Sequence, residues 1–202
     1  MEFSSPLATV TPTVDGDVLT ILCGSDGWFT TTLLQEQIPT RSIPGIRNVL
    51  IRLGEQGIVQ SMIVGRVHQY RLNRQHIAAE SIIALSRLQD AFVSRASAAM
   101  GAWHQPPLFA ALCAPVNSVL RIVAITPRRV DGATWLDQVR EFEDAARLWT
   151  GNDVVVIAVD EDDVADSSQL LDEVAREGVA IVGDFAWFRR SIAMAQLELQ
   201  GK

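Results

Sequence analysis

The chain has 202 residues, 48% of them hydrophobic and 20% charged, with a formal net charge of −7. That balance describes a globular protein, not a disordered one, with enough length to bury one large core or two small ones. No membrane-spanning helix is expected, since no apolar run approaches the ~18–20 residues that one requires.

The first ten residues, MEFSSPLATV, carry neither the basic flank nor the apolar core of a signal peptide. Cys23 and Cys113 lie far apart and show no CxxC or histidine spacing. The expectation is a cytoplasmic protein with two buried free thiols, no structural zinc and no membrane partner. Charge is unevenly placed: residues 1–100 hold eight basic and eight acidic side chains, and residues 101–202 hold nine and sixteen. An acidic second half is a poor surface for phosphate, so nucleic-acid contact is expected from the first half alone.

In chain order, Asp15 or Asp17 is predicted to cap a first helix over Val18, Leu19, Ile21 and Leu22, ending at Gly24. Trp28-Phe29-Thr30 reads as a short strand. Thr31 or Thr32 then opens a second helix through Leu33, Leu34 and Ile38, closed by Pro39. Ser42 is an N-cap candidate with Pro44 in the first turn of a third helix. Ile46, Val49, Leu50 and Leu53 fall at i, i+3, i+4 and i+7 and form one buried stripe; Gly54 or Gly57 ends the helix.

On the other face of that helix Arg41, Gly45, Asn48 and Arg52 recur about once per turn, with Arg47 on the flank. Arg and Asn suit bidentate readout of guanine and adenine in a major groove, and Ser42 with the first backbone N–H groups suits phosphate. For any single residue, the solvated face of an ordinary helix explains as much. Ile58–Val64 and Val67–Leu72 are predicted to form a hairpin with Gly65-Arg66 at its tip. From there Arg66 could enter a minor groove while Arg71 and Arg74 meet phosphates. Between Arg41 and Arg74 six arginines face one acid, Glu55. The set points to duplex DNA, with salt-sensitive binding. Tyr70 reads as packing, and His68 and His76 as structural histidines.

The run SIPGIRNVLIRLGEQGIV (42–59), followed by YRLNRQHIAA (70–79), resembles bacterial winged helix-turn-helix transcriptional regulators over about residues 15–80. The resemblance implies sequence-specific DNA binding and adds to the reading, from spacing, of Arg41, Ser42, Gly45, Arg47, Asn48, Arg52, Arg66, Arg71 and Arg74 as the DNA-contacting residues.

A long helical pattern runs from Ile77 to Met100, with Ile82, Ile83, Leu85, Leu88, Phe92 and Val93 as its apolar stripe. It fits a connector between domains or a helix that pairs with its copy in a homodimer. Pro106-Pro107 cannot continue a helix and marks a boundary. Beyond it, strands are predicted at Val119–Ile125, Asp153–Val159 and Val179–Val182, and helices at Trp135–Trp149, Ser168–Glu177 and Phe185–Leu199. This alternation argues an α/β layer.

With WTGNDVVVI (149–157) and LDEVAREGVAIVG (171–183), this order resembles the minimal nucleotidyltransferase domain of the DNA polymerase β-like superfamily over about residues 108–183. The resemblance implies a Gly-Ser turn for triphosphate and an Asp-x-Asp pair for Mg²⁺. Here the turn in LFAALCAPVNS (108–118) has Ala110-Ala111, and Val119 and Arg121 occupy the carboxylate positions. Neither side chain can ligate Mg²⁺. Asp153 remains, but one carboxylate makes a poor metal site. Asp160-Glu161-Asp162-Asp163 reads as a solvated helix start, and Arg128-Arg129 and Arg189-Arg190 as surface pairs. Arg121 with Arg128 could hold an anion. Trp103 and Trp187 read as packing or interface anchors.

The expectation is therefore an α+β two-domain chain: a winged helix-turn-helix at 12–76, a linker or dimerisation helix at 77–103 and a degenerate nucleotidyltransferase-like α/β domain at 104–202. No catalytic residue, metal or cofactor is assigned. The expected partners are double-stranded DNA, a second copy of the chain, and a small-molecule or protein effector. Two alternatives stay open: a divergent metal-dependent nucleotidyltransferase working through Asp153, and an antitoxin-like protein-interaction module.

Overall fold

Two hydroxyls start two consecutive helices. Thr30 accepts a hydrogen bond from the Leu33 amide at 3.1 Å, and Ser42 accepts one from the Gly45 amide at 3.2 Å. Each satisfies a donor that the first helical turn cannot pair internally. The computed structural model in which these caps appear describes residues 1, 3, 5–128, 130–164 and 167–200. It is an α+β architecture with two small sheets, and the chain divides into two compact units, Met1–Gln89 and Asp90–Lys202.

In the first unit, α1 (Val14–Cys23) starts from Thr13, leaving Asp15 and Asp17 in the first turn, where the helix dipole favours them, and not at the cap. A short 3-10 helix at Pro6–Thr9, which the sequence pattern did not suggest, precedes it and buries Leu7. Gly16 permits this approach, since a Cβ there would lie 2.5 Å from the Thr11 carbonyl oxygen. Then come α2 (Thr31–Gln37) and α3 (Ile43–Glu55). The stripe of α3, Ile46, Val49, Leu50 and Leu53, is buried as expected, each large side chain contributing ~1.5–3 kcal/mol on removal from water. Strands β1 (Val59–Val64) and β2 (Val67–Leu72) pair antiparallel from Val59↔Leu72 to Val64↔Val67. Gly65 sits at φ +64 in the turn, a conformation that suits a residue without Cβ. Phe29 adds a bridge to Tyr70.

Replacing Ser42 with Ala removes the α3 cap and is expected to cost about 1 kcal/mol. A urea titration should show a lower midpoint with unchanged slope.

The helical pattern from Ile77 to Met100 is two helices, α4 (Ala79–Ser86) and α5 (Leu88–Gly101), broken at Arg87. The Ser86 hydroxyl donates back to the Ile83 carbonyl at 2.8 Å, a local bond that competes with helix continuation. The two halves also serve different cores. Ile82, Ile83 and Leu85 pack in the first unit, whereas Phe92, Ala96 and Met100 of α5 are buried and Phe92 meets Trp149 edge-on in the second.

The second unit holds β3 (Phe109–Leu112), β4 (Leu120–Thr126), α6 (Gly132–Thr150), β5 (Val154–Asp160), α7 (Ser168–Glu177), β6 (Val179–Val182) and α8 (Phe185–Gln200). Its sheet has the order β5-β4-β3-β6. The β4–β5 pair is parallel, joined by α6, and β3 runs antiparallel to both β4 and β6. Phe109, Ala111, Val123, Ile125 and Val159 pack with Leu171, Val174 and Phe188 in one core. Asp131 caps α6, accepting from the Thr134 hydroxyl at 2.5 Å and the Ala133 amide at 3.3 Å. Gly151 ends that helix in the left-handed region at φ +70. On the edge strand β5, the Val156 amide donates to Glu143 of α6 at 2.7 Å, which occupies an edge donor that another strand would otherwise take.

The structure corrects one local reading. Ala110 and Ala111 do not form a turn; they lie inside β3, fully buried, opposite Ala124 and Val123. Small residues there let β3 sit between two strands and under helices. A Gly-Ser-like phosphate cradle has no counterpart at this point of the chain.

Candidate functional site

The arginines of residues 41–74 meet acids that the sequence window does not contain. Arg41 pairs with Asp17 of α1 at 2.6 Å. Arg52 pairs with Asp15 of the same helix, and Arg74 with Asp26. Arg74 also donates to the Cys23 carbonyl at 3.2 Å. Arg71 donates to Gln60 at 2.9 Å and lies 4.5 Å over the Trp28 ring. Gln60 in turn donates to Asn73 at 3.1 Å, and Asn73 to the Gly57 carbonyl at 2.8 Å. Folding thus spends most of the basic side chains on the unit's own packing. Residues 1–89 carry seven basic and seven acidic groups, a net charge of zero.

Of the remaining residues in the proposed DNA face, Ser42 and Gly45 are bound to each other in the cap. Arg47, Asn48 and Arg66 are exposed, and no ion pair to Arg47 or Arg66 occurs among the described residues. Of the six arginines, Arg47, Arg66 and Arg71 have no carboxylate partner among the described residues, and Arg71 is held by Gln60 and the Trp28 ring. Tyr70 is buried and stacks beneath His68 at 6.3 Å. His76 accepts from the Ala78 amide at 3.1 Å.

A different surface dominates this unit. Ile51 on α3 is 49% exposed, and the hairpin tip presents Met62, Ile63 at 64%, Val64 and Val67. Between α3 and the core-facing side of the hairpin runs a groove of about 490 Å³ lined by Arg47, Leu50, Ile51, Gly54, Val59, Ser61, His68 and Tyr70. In the antiparallel register, Ile63 pairs with His68 and Ser61 with Tyr70, so Ile63 extends the groove's apolar wall toward the tip. The sequence carried a signal for this ledge that reading by charge passed over. Ile51 lies outside the buried stripe of its helix, and Met62-Ile63-Val64 breaks the alternation of a half-buried strand.

In the second unit, Arg121 is bound to Glu173 of α7 and donates to the Ala114 carbonyl at 3.2 Å. Arg128 pairs with Glu161 and Asp162, and Asp160 accepts from the Thr126 hydroxyl at 2.5 Å. The two arginines stand at opposite ends of a seven-residue strand, about 20 Å apart, so they do not form one anion site. Arg129 lies outside the described residues. Asp153 pairs with Arg147 at 3.2 Å. No group of three or more metal-ligating side chains occurs among the described residues, and no helix there is long and apolar enough to cross a membrane.

Burial raises the thiol pKa of both Cys23 and Cys113; a Ser86 hydrogen bond and Arg74 partly offset it at Cys23, and Arg121 at Cys113. The folded state therefore holds these protons more tightly than the unfolded chain. Stability is expected to be intact below the unfolded thiol value of about 8.5 and to fall as pH rises above it. Urea midpoints measured upward from neutral pH should show the decline, and Cys23→Ala with Cys113→Ala should flatten it.

Among solved structures, the chain is similar to one described as tri-AMPylated Shewanella oneidensis HEPN toxin in complex with MNT antitoxin. Identity is 12% and the TM-score 0.41, over 56% of this chain and 87% of that chain. No family model matches, and no curated protein matches. What comparison finds is a toxin–antitoxin assembly. The identification with winged helix-turn-helix regulators carrying a nucleotidyltransferase-like domain is corrected accordingly. So are the expected function in sequence-specific DNA binding and the expected duplex-DNA partner. The ion pairs of Arg41, Arg52 and Arg74 supply the physical reason: those cations already have carboxylate partners.

Proposed function

We propose that the chain is a protein-interaction module that docks a partner protein on the ledge formed by α3 and the hairpin. The exposed apolar residues Ile51 and Ile63 on the side of an open groove, with Met62, Val64 and Val67 on the other face of the hairpin tip, carry this reading. Contiguous apolar surface rimmed by polar groups is the ordinary mark of a protein interface. In this reading the three helices and hairpin form a winged helix used as a docking scaffold. An antitoxin-like member of a two-gene pair is one form such a module takes.

The second unit serves as a non-catalytic companion in this proposal. Arg121, tied to Glu173, places a cation where a metal-dependent transferase needs a carboxylate. Incubation with labelled nucleoside triphosphates and Mg²⁺ or Mn²⁺ should yield no transfer; transfer lost in Asp153→Asn would contradict this assignment.

The product of the neighbouring gene, immobilised, tests the docking itself. It should retain the full chain in half-molar salt, because screening weakens surface charge pairs far more than apolar burial. No retention at any salt concentration would count against the proposal.

A further inference from the structure

Resting on the docking reading above, we infer that the groove between α3 and the hairpin accepts a partner segment with a large apolar anchor and acidic residues beside it. The lining is mixed: Leu50, Ile51, Val59 and the ring of Tyr70 supply apolar contacts, and Arg47, Ser61 and His68 polar ones. A volume of about 490 Å³ is within the range that encloses bulky aliphatic or aromatic groups.

The polar groups are distributed unequally along it. Arg47 lies two turns before Gly54 on α3, and His68 lies closer to the hairpin tip than Tyr70 does. Gly54 lies against the base of the hairpin, where a Cβ would sit 3.8 Å from the Val59 carbonyl oxygen. Arg47 and His68 therefore lie toward the other end of the groove, with Arg66 at the tip beyond them. The acids that neutralise the rest of the basic set, Asp15, Asp17 and Asp26, are engaged with Arg52, Arg41 and Arg74. Glu55 lies two turns beyond Arg47 on α3, past Gly54. This gives the segment a direction, with its carboxylates at the Arg47 end and none beside Glu55. Like-charge placement there would repel, and opposite charge at Arg47 would attract.

Selection of randomised short segments displayed on phage against the full chain tests this. The retained clones should combine Leu, Ile, Phe or Trp anchors with an excess of Asp and Glu on one side. Arg47→Glu with Arg66→Glu should weaken them by at least about tenfold and shift a fresh selection toward Lys and Arg. Clones without acidic excess, acidic clones unaffected by the charge reversal, or no enrichment at all would overturn the inference. Clones that need Ile51 and Ile63 yet lack acids would leave the docking reading standing. Clones indifferent to Ile51→Asp and Ile63→Asp would count against that reading as well.

Discussion

Ile51→Asp combined with Ile63→Asp should reduce capture of the partner protein by more than about 100-fold, equivalent to roughly 2.8 kcal/mol. The expected loss is large because both side chains sit where a partner would exclude water: Ile51 on the helix wall of the groove and Ile63 on its hairpin extension. A carboxylate placed there must be desolvated without a partner when the interface closes. The same residues are 49% and 64% exposed in the free chain. Their replacement should therefore leave the unfolding free energy from urea titration within about 0.5 kcal/mol of the parent. Loss of binding together with loss of folding would mean that the two residues support the core and not a partner.

The second large effect concerns the core of the α/β unit. Phe188 is fully buried, stacked on Phe109 at 4.3 Å and edge-on to Phe185 at 6.0 Å. Phe188→Ala removes this contact and leaves a cavity beneath β3, at an expected cost of about 3–5 kcal/mol. Against a total stability of ~5–15 kcal/mol, that is enough to populate the unfolded unit. Tryptophan fluorescence reads it well, since Trp103, Trp135, Trp149 and Trp187 belong to this unit and Trp28 to the other. A shift below about 1 kcal/mol would show that α8 is not integral to the core.

The legibility of the sequence follows from how local each signal is. Ser42 and the period of Ile46, Val49, Leu50 and Leu53 fix α3 from within thirteen residues, and Gly65 fixes the hairpin turn. Strand β3 was missed because four residues, two of them alanines, carry little strand signal of their own; its pairing with β4 and β6 is non-local. The break at Arg87 was missed because both helices have apolar stripes in phase with a single long one. The charge environment of residues 41–74 was hidden for the same reason on a larger scale. Charge counted along the chain gave six arginines against Glu55, whereas charge counted in space adds Asp15, Asp17 and Asp26. In the proposed docking reading the signal lies in the apolar residues left over from the helix stripe and the strand alternation, Ile51 and Ile63.

Hydrogen–deuterium exchange of the full chain, alone and with the neighbouring gene's product, separates docking on the hairpin from docking elsewhere. Protection on complex formation should concentrate in β1, β2 and the exposed side of α3, from Arg47 to Glu55. Protection confined to the second unit, with the hairpin exchanging as fast as in the free chain, would contradict docking on the hairpin.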